Sequence, residues 1–388
     1  MKNCAVIAEY NPFHTGHKYQ LDVINSQGFD NIVCVMSGSF VQSAMPAFCD
    51  KALRAECAVL GGASAVVELP VVYATASAQM FAEGGLKIIA GIKDITHIAM
   101  GATVSEDIIL RMADIKLQHR DKFQSILKAE LNNGKSYNAA TALALNNVFA
   151  QLYPHISAEG FFNDPNNILC IEYITAINKY CANIQPLIIQ RKGANYNDSA
   201  ITGEYISATA IRNADLNDVK QFIPYNYDKI RLQRESHTAD ITLYKNLALF
   251  ALKRAQPEEI KVLRDCSEGM EFLLKNVANL NNLDEIIDAA IGKRYSKKRI
   301  FRLLLCLLLG IDKSMFDKPF CTRLLACKRN FDFSVLPIFI TKTNSEIKEA
   351  AQNSDIKSVL QADINATALY NTLSQTNGDY FNYSVVKA

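Results

Sequence analysis

Residues 8–17 of the 388-residue chain decide the fold and read Ala8-Glu9-Tyr10-Asn11-Pro12-Phe13-His14-Thr15-Gly16-His17. The apolar run CAVIAEY leads into this stretch and predicts a strand, and a helix is predicted from about His17 onward. In an open α/β sheet, ligands bind in the crevice at the carboxyl ends of the strands. A helix N-terminus at that crevice offers free N–H groups to phosphate. We therefore expect this stretch to form a phosphate-binding site.

Two imidazoles carry the chemistry of this stretch. His14 and His17 lie three residues apart and can converge on one phosphoryl group, while Gly16 allows an adenine ring or a phosphate to approach the backbone closely. The alternatives are a surface histidine pair and a metal site with both imidazoles as ligands. The strand before the pair, the helix after it and the Asn-Pro step favour phosphate. Neither a P-loop nor a G-x-G-x-x-G after the first strand occurs, so P-loop hydrolysis and hydride transfer lack support.

Short apolar runs alternate with helix-like segments along the first half of the chain. Such runs, nearly continuous in apolar residues, are typical of a parallel sheet that is covered on both faces. The predicted strands are CAVIAEY at 4–10, NIVCVMSG at 31–38, AVVELP at 65–70, HIAMGA at 97–102 and PLIIQRK at 186–192. The pattern predicts an α/β fold.

The strand signal fades after about Asp218. Helical spacing of apolar residues then dominates in ITLYKNLALFALKRA at 241–255, EGMEFLLKNVANL at 268–280 and KKRIFRLLLCLLLGI at 297–311. LPIFITK at 336–342 is the only late strand candidate. We therefore predict two domains, an α/β domain over residues 1–220 and a mostly helical domain over residues 221–388.

Bulk composition sets the broad class. Hydrophobic residues make up 49% and charged residues 21% of the chain, with a net charge of +2, which excludes a disordered chain and a collagen. The longest apolar stretch, 300–311, is interrupted by Arg302 and is too short to span a membrane. We expect a soluble, cytoplasmic protein. The ten cysteines include no Cys-x-x-Cys pair and are expected to be buried, reduced thiols.

A second motif lies about 190 residues after the first. Ile206-Ser207-Ala208-Thr209-Ala210-Ile211-Arg212 predicts a helix start, where the hydroxyls of Ser207 and Thr209 and free N–H groups can bind phosphate oxygens. Arg212, one turn on, adds a permanent charge and a bidentate fork. The alternative is an ordinary N-capped helix with a surface arginine.

These two motifs resemble the signatures of the HIGH-type nucleotidylyltransferase superfamily, whose fold is a Rossmann-like α/β domain with a parallel sheet. Further segments resemble one family within it, the bacterial tRNA(Met) cytidine acetate ligases, across nearly the whole chain. These segments are Met36-Ser37-Gly38-Ser39-Phe40-Val41-Gln42, Asp50-Lys51 with Arg54-Ala55-Glu56, Val67-Glu68-Leu69-Pro70, Pro165-Asn166-Asn167-Ile168-Leu169 and Arg294-Tyr295-Ser296-Lys297-Lys298-Arg299-Ile300.

The resemblance implies a function. Members of this family activate acetate with ATP as acetyl-adenylate and release pyrophosphate. They then acetylate the wobble cytidine of elongator tRNA(Met) to N4-acetylcytidine. ATP, acetate and elongator tRNA(Met) are thus the expected substrates. Mg²⁺ would neutralise the leaving pyrophosphate, although no carboxylate cluster in the sequence demands it.

The resemblance also implies site residues. His14 and His17 are the expected catalytic pair near the α- and β-phosphates, and Ser207, Thr209 and Arg212 are expected near the β- and γ-phosphates. Asn166 or its neighbour Asn167 is expected to contact ATP. The complete expected ATP site is Ile7, Ala8, Glu9, Tyr10, Asn11, Pro12, Phe13, His14, Thr15, Gly16, His17, Lys18, Tyr19, Gln20, Gly101, Asn166, Arg191, Ser207, Thr209 and Arg212.

The chain departs from the family at one place. Where Arg-Gly-Glu-Pro is expected after Val-Gln, it has Ser43-Ala44-Met45-Pro46. We expect the loss of this charge pair to affect the acyl or RNA side of the site and to leave the ATP chemistry intact.

A basic region suggests where tRNA binds. Residues 291–330 contain 11 Lys and Arg against two Asp, a local balance of +9. Arg294, Lys298 and Arg302 recur every four residues, so one helix face would carry them opposite an apolar stripe. We expect tRNA-binding residues at Arg294, Lys297, Lys298, Arg299 and Arg302, the alternative being a solvated charged face.

Two other functions fit parts of the sequence. A small-molecule adenylyltransferase of the same superfamily would explain both motifs but leaves the basic region without a role. A non-catalytic nucleotide- or RNA-binding relative would have kept the fold and lost turnover. The intact His14, His17, Ser207 and Arg212 argue against the second.

Overall fold

The computed structural model of the chain describes residues 2–192, 203–267, 269–292, 295–378 and 380–388. Eight strands of these residues form one sheet, in the order β5-β4-β1-β2-β3-β6-β7 with β8 also paired to β6. The strands are β1 Asn3–Ala8, β2 Asn31–Ser37, β3 Ala65–Leu69, β4 Ile95–Ala102, β5 Gln185–Gln190, β6 Thr322–Cys327, β7 Ile340–Thr341 and β8 Val386–Lys387.

Strands β1 to β5 are parallel to one another, as predicted. The alternating side chains of β1 enter two different hydrophobic clusters, with Ala5 and Ile7 on one face and Cys4 and Val6 on the other. Both faces of the sheet are therefore buried beneath helices, which is why its strands are apolar almost throughout. The predicted α/β fold is confirmed.

Helices connect and cover these strands. The first nine are α1 Thr15–Ser26, α2 Lys51–Leu60, α3 Val71–Ala74, α4 Ala78–Ile89, α5 Glu106–Gln118, α6 Arg120–Asn132, α7 Tyr137–Leu152, α8 Pro165–Tyr180 and α9 Ala208–Asn213. The carboxyl-terminal segment adds α10 Tyr227–Ser236, α11 Ile241–Arg254, α12 Pro257–Lys261, α13 Met270–Val277, α14 Leu283–Ala290, α15 Lys297–Leu309, α16 Asn344–Ala350 and α17 Ser354–Ser374.

The strands of the carboxyl-terminal segment differ from the prediction. LPIFITK contributes only the two residues of β7, whereas the main late strand is β6, which pairs antiparallel with β3. All six residues of β6 are buried, including Thr322 and Arg323, so the strand lacks the nearly continuous apolar run that marked β1 to β5 in the sequence. The segment is still mostly helical, and its late strands extend the sheet of the first half. The division into domains near residue 220 remains a prediction.

Polar side chains also fasten the carboxyl-terminal segment to the first half. Arg264 donates hydrogen bonds to the carbonyl oxygens of Val72 at 2.6 Å and Thr75 at 2.7 Å. On α17, Asp363 accepts from the Val71 amide at 2.6 Å. These contacts fix α3, which follows β3, against α17 and against the turn after α12 that carries Arg264.

Two expectations from composition can be compared with the fold. All ten cysteines lie among the described residues, and each is buried and free, as predicted. Across the part of the chain that the structure describes, every helix is too short or too polar to span a membrane.

Candidate active site

The first motif follows β1 at the point where the strand order reverses. β1 lies between β2 and β4, and the chain adds β2 and β3 on one side and then β4 and β5 on the other. The crevice beyond the carboxyl ends of the strands opens at such a point. A cavity occupies it here, lined by residues from the first motif, from the ends of β4 and β5 and from the second motif.

The two histidines form the N-cap of α1. The Nδ1 atom of His14 accepts a hydrogen bond from the Gly16 amide at 3.0 Å, and the Nδ1 atom of His17 accepts one from the His14 amide at 3.3 Å. Their ring centroids are 3.8 Å apart. Because Nδ1 is an acceptor in both rings, the proton of each neutral imidazole is on Nε2. Each ring can thus donate one N–H to a ligand.

Both histidines are held neutral. Burial, together with the nearby charges of Arg191 and Arg212, lowers the pKa of His14 to about 3. Burial, His14 and Arg191 likewise lower the pKa of His17 well below its usual value. The pair therefore acts in the free protein as two uncharged donors, while the arginines supply the positive charge of the site.

The second motif meets the first, as predicted. Ser207 is the N-cap of α9, and its hydroxyl accepts from the Ala210 amide at 2.9 Å. Arg212 donates through Nη1 to the carbonyl oxygen of Asn11 at 2.7 Å and through Nη2 to the hydroxyl of Thr209 at 2.9 Å. Arg212 thus joins the two motifs and lines the cavity itself.

Arg191 lies across Gly101 at the ends of β4 and β5. A Cβ atom on Gly101 would stand 3.2 Å from Cγ of Arg191, so glycine lets this side chain lie flat on the strand. The buried carboxylate of Asp164 is 3.8 Å from Nε of Arg191. Asp164 therefore attracts the Arg191 guanidinium by charge, without a hydrogen bond between Oδ2 and Nε.

The structure separates the two asparagines that the sequence left open. The side chain of Asn167 is buried and bonds to Thr103 and to the Phe161 carbonyl oxygen. Asn166 lines the cavity, and its Nδ2 donates to Asp164 at 2.7 Å. Asn166 is thus the member of the pair that is available to a ligand.

Most of the expected ATP residues line the cavity, and five do not appear on its described wall: Pro12, Phe13, Thr15, Lys18 and Thr209. Phe13 is buried with its ring centroid 5.7 Å from that of His17, and Lys18 forms an ion pair with Asp22. Thr209 holds Arg212. These residues shape the site from behind the wall, and their contacts with ATP remain predictions.

Several wall residues were not anticipated from the sequence. Lys192 and Tyr205 lie beside expected residues, and both contact Tyr19: the Lys192 Nζ is 4.7 Å from its ring centroid and the Tyr205 centroid is 5.6 Å away. In the sequence, these two residues could have been found from their position next to Arg191 and to the second motif. Gln42, Phe81 and Tyr173 also line the cavity, and only the packing of distant elements places them there.

Arg54 braces the loops that carry the site. This fully buried side chain on α2 donates to the carbonyl oxygens of Glu9 at 2.7 Å, Ser37 at 3.0 Å and Cys49 at 3.0 Å, and also to that of Gly38. These carbonyls belong to the segments that follow β1 and β2. The strand ends are therefore held together by one charged side chain whose donors are satisfied by the backbone.

The departure from the family pattern forms a tight turn. The Val41 amide donates to the Met45 carbonyl oxygen at 3.1 Å, and the Ala44 amide to the Val41 carbonyl oxygen at 2.8 Å. The Tyr244 hydroxyl on α11 donates to the Ala44 carbonyl oxygen at 2.8 Å. Backbone bonds and Tyr244 thus hold this segment in place.

In the fold, the basic residues of α15, which lies within 291–330, fall into an exposed group and a group bound to Asp265. Lys297 and Lys298 are exposed at the start of α15, and Lys298 also lines the cavity. Arg299 donates to the Asp265 carbonyl oxygen at 3.1 Å, and Arg302, only 15% exposed, pairs with the Asp265 carboxylate at 2.9 Å. Arg294 lies outside the described residues.

The described part of the chain holds no cluster of three or more His, Cys, Asp or Glu side chains able to bind a metal. Glu9 is the carboxylate on the described cavity wall, and its Oε1 already accepts from the Gln42 amide at 2.9 Å. The donor set therefore does not fit a dedicated Mg²⁺ cage, which would need several oxygen ligands.

Comparisons with known proteins identify the family of the chain. Residues 1–382 match the family described as HIGH Nucleotidyl Transferase. A tRNA(Met) cytidine acetate ligase of Clostridium perfringens is 32% identical, with 98% of each chain covered. One of Caldanaerobacter subterraneus is 35% identical, with 97% of this chain and 96% of that protein covered.

Solved structures of Thermotoga maritima TmcAL cover 100% of both chains at 26% identity. The TM-score is 0.89 for the apo form and 0.86 for the form bound with alpha-thio ATP. The resemblance seen in the sequence is confirmed over the full length. The chain belongs to the HIGH nucleotidyl transferases and, within them, to the tRNA(Met) cytidine acetate ligase family.

Proposed function

We propose that this protein is an ATP-dependent ligase that acetylates the wobble cytidine of elongator tRNA(Met) to N4-acetylcytidine. The observation that carries the proposal is the convergence of His14, His17 and Arg212 at the carboxyl end of β1, joined by the Arg212–Asn11 hydrogen bond. The names of the relatives and the ATP analogue in the Thermotoga maritima structure support it.

The first half-reaction activates acetate. A carboxylate oxygen of acetate forms a bond to the α-phosphorus of ATP, the bond from that phosphorus to the bridging oxygen breaks, and pyrophosphate leaves. Negative charge grows on the phosphoryl oxygens and the leaving group. The Nε2–H groups of His14 and His17 and the guanidinium of Arg212 would stabilise it, and Arg191 would add a second permanent charge.

The second half-reaction transfers the acetyl group. The exocyclic amine of cytidine attacks the carbonyl carbon of acetyl-adenylate, the bond from that carbon to the phosphate oxygen breaks, and AMP leaves. The amine gives up one proton in the same step. Close orientation of the amine supplies much of the rate when the nucleophile is weak.

The tRNA would reach the cavity along the start of α15. Lys297 and Lys298 are exposed there, and Lys298 borders the cavity, so phosphates bound by this helix end would stand next to the adenylate. Arg299 and Arg302 are tied to Asp265 and would support the surface from beneath. A tRNA substrate also implies a cytoplasmic protein.

Mg²⁺ would enter with the nucleotide. Protein sites of this ion commonly use one or two carboxylates plus the substrate phosphates, and the described wall offers only Glu9. The chain's own residues would orient the phosphates, and no step of the scheme is assigned to the metal.

The test combines two assays. Purified protein is incubated with acetate, ATP and unmodified elongator tRNA(Met), and the digested RNA is searched by mass spectrometry for acetylcytidine. Acetate-dependent ATP–pyrophosphate exchange without tRNA reports the first step alone. The proposal expects both signals, and a His17→Ala variant should lose the exchange.

The alternatives give different results. Exchange driven by a mononucleotide or a phosphopantetheine-like acceptor and not by acetate would identify a small-molecule adenylyltransferase. Nucleotide binding without any exchange would identify a non-catalytic relative. Either result overturns the proposal.

A further inference from the structure

The cavity has an apolar end as well as a phosphate end. Ile7, Phe81 and Tyr173 line it and belong to the hydrophobic cluster on one face of the sheet, whereas Tyr10 and Phe13 of the histidine motif belong to the cluster on the other face. The cavity therefore passes over the end of β1 from one face to the other. His14 and His17 serve the phosphates, and the apolar end is left without an assigned ligand.

Gln42 brings a polar group to this apolar end. Its backbone amide donates to Glu9 Oε1 at 2.9 Å, and burial together with the charges of Cys170 and Glu9 raises the pKa of Tyr173, so Glu9 lies close to both residues. The Gln42 side chain lines the cavity. Within the described ranges, its buried Nε2 finds no hydrogen-bond partner.

The buried Nε2 group of Gln42 needs a hydrogen-bond acceptor. Leaving a buried N–H group without an acceptor is unfavourable, because the group has lost its hydrogen bonds to water. Gln42 lies inside the tight turn closed by Val41 and Met45, so backbone hydrogen bonds fix the position of its main chain beside the cavity. A ligand oxygen delivered to the cavity would satisfy the group.

We propose that Gln42, Phe81 and Tyr173 form the acyl subsite, with Gln42 Nε2 donating to the non-attacking oxygen of acetate and the two rings enclosing the methyl group. This inference rests on the proposed function and names residues for its substrate. After activation the same Nε2–H group meets the carbonyl oxygen of acetyl-adenylate. The apolar walls offer no partner to a second charged group, so the subsite selects short monocarboxylates over dicarboxylates.

The test measures the KM for acetate and the KM for ATP separately in the pyrophosphate exchange assay. Gln42→Leu removes the donor at nearly constant volume and should raise the KM for acetate about tenfold, the loss expected for one hydrogen bond to a charged group. The KM for ATP should stay within about twofold. Gln42→Glu places a carboxylate against acetate and should cost more than the leucine variant. Gln118→Leu, at the exposed end of α5, is the matched control and should match wild type.

A second variant tests the apolar walls. Phe81→Leu enlarges the subsite and should raise the kcat/KM of propionate relative to acetate about tenfold, the lower end of what one methylene is worth in an apolar pocket. If the Gln42 variants fail to fold, the ratio of propionate to acetate kcat/KM in Phe81→Leu tests the acyl subsite.

Equal rises in both KM values, an unchanged KM for acetate or an unchanged propionate ratio would overturn the acyl subsite. Absence of any acetate-dependent exchange in the wild-type protein would instead overturn the proposed function.

Discussion

Arg212 donates a hydrogen bond to the main-chain oxygen of Asn11 at 2.7 Å, across 201 positions of sequence. The second guanidinium nitrogen binds Thr209 on the same helix at 2.9 Å. One side chain thus fixes the distance between the two motifs and still faces the cavity. For this role, the planar shape of the guanidinium matters as much as its charge.

Arg212→Lys keeps the charge and removes the fork. An ammonium cannot reach the Asn11 carbonyl oxygen, the Thr209 hydroxyl and a phosphate with the same geometry. We expect the KM for ATP to rise about tenfold or more in pyrophosphate exchange, since hydrogen bonds of a charged group are worth about 1.5–3 kcal/mol. Arg231→Lys, on the exposed face of α10, is the control. Equal kinetics of the two variants would contradict the role of the fork.

Thr209→Val tests whether this residue acts through Arg212. Valine has nearly the same shape but cannot accept the Nη2–H bond. We expect a rise of about fivefold in the KM for ATP, corresponding to about 1 kcal/mol for one hydrogen bond. Combined with Arg212→Lys, the valine should have little further effect, because the two residues share one interaction. Fully additive losses would indicate that Thr209 contacts ATP independently.

Arg54→Met should destabilise the protein. Four main-chain oxygens after β1 and β2 lose their donor inside a buried site, and we expect a loss of about 3 kcal/mol or more in the free energy of unfolding. Urea unfolding measures it. The exposed Arg329 provides the control, since Arg329→Met should change stability by less than about 0.5 kcal/mol. A similar small change for Arg54→Met would contradict the bracing role.

His14 should make folding sensitive to acid. Its pKa is about 3 in the folded protein and about 6.5 in the unfolded chain, so the unfolded state binds the proton first as the pH falls. The stability associated with the neutral ring is present above pH 6.5 and is lost between about pH 6.5 and 3.

His14→Asn keeps an N-cap acceptor and removes this titration. From pH 7 to pH 5 the variant should lose about 2 kcal/mol less stability than wild type, at about 1.36 kcal/mol per proton and pH unit. Urea midpoints at the two pH values provide the measurement. His155→Asn, at an exposed position, should follow the wild-type curve. A His14→Asn curve identical to wild type would show that the ring is protonated in the fold.

The start of α15 allows tRNA binding to be separated from fold stability. Lys297→Glu should weaken tRNA binding and reduce the slope of log affinity against log salt by about one unit, while acetate-dependent exchange stays near wild type. Arg302→Gln should mainly lower stability, because it leaves Asp265, 9% exposed, with one partner fewer. Unchanged tRNA affinity in Lys297→Glu would remove this surface from the proposal.

The sequence predicts those parts of the fold that depend on local pattern. The five parallel strands and the meeting of the His14 and Arg212 motifs follow from apolar runs and from motif resemblance. β6 was missed because its partner β3 lies about 260 residues away and because the buried polar residues Thr322 and Arg323 shorten its apolar run. The donor of Gln42 that faces the cavity and the capture of Arg302 by Asp265 depend on packing between distant elements, which spacing along the chain does not encode.

The antiparallel pairing of β3 with β6 also constrains how the protein can be made. A ribosome that has released residues 1–220 has supplied the five parallel strands β1 to β5, yet the edge of β3 stays open until Thr322–Cys327 emerge from the exit tunnel. β8, at Val386–Lys387, can join β6 only later still. An open, apolar strand edge is a template for aggregation. Chains that stop before Thr322–Cys327 therefore leave the edge of β3 exposed to pairing with another chain.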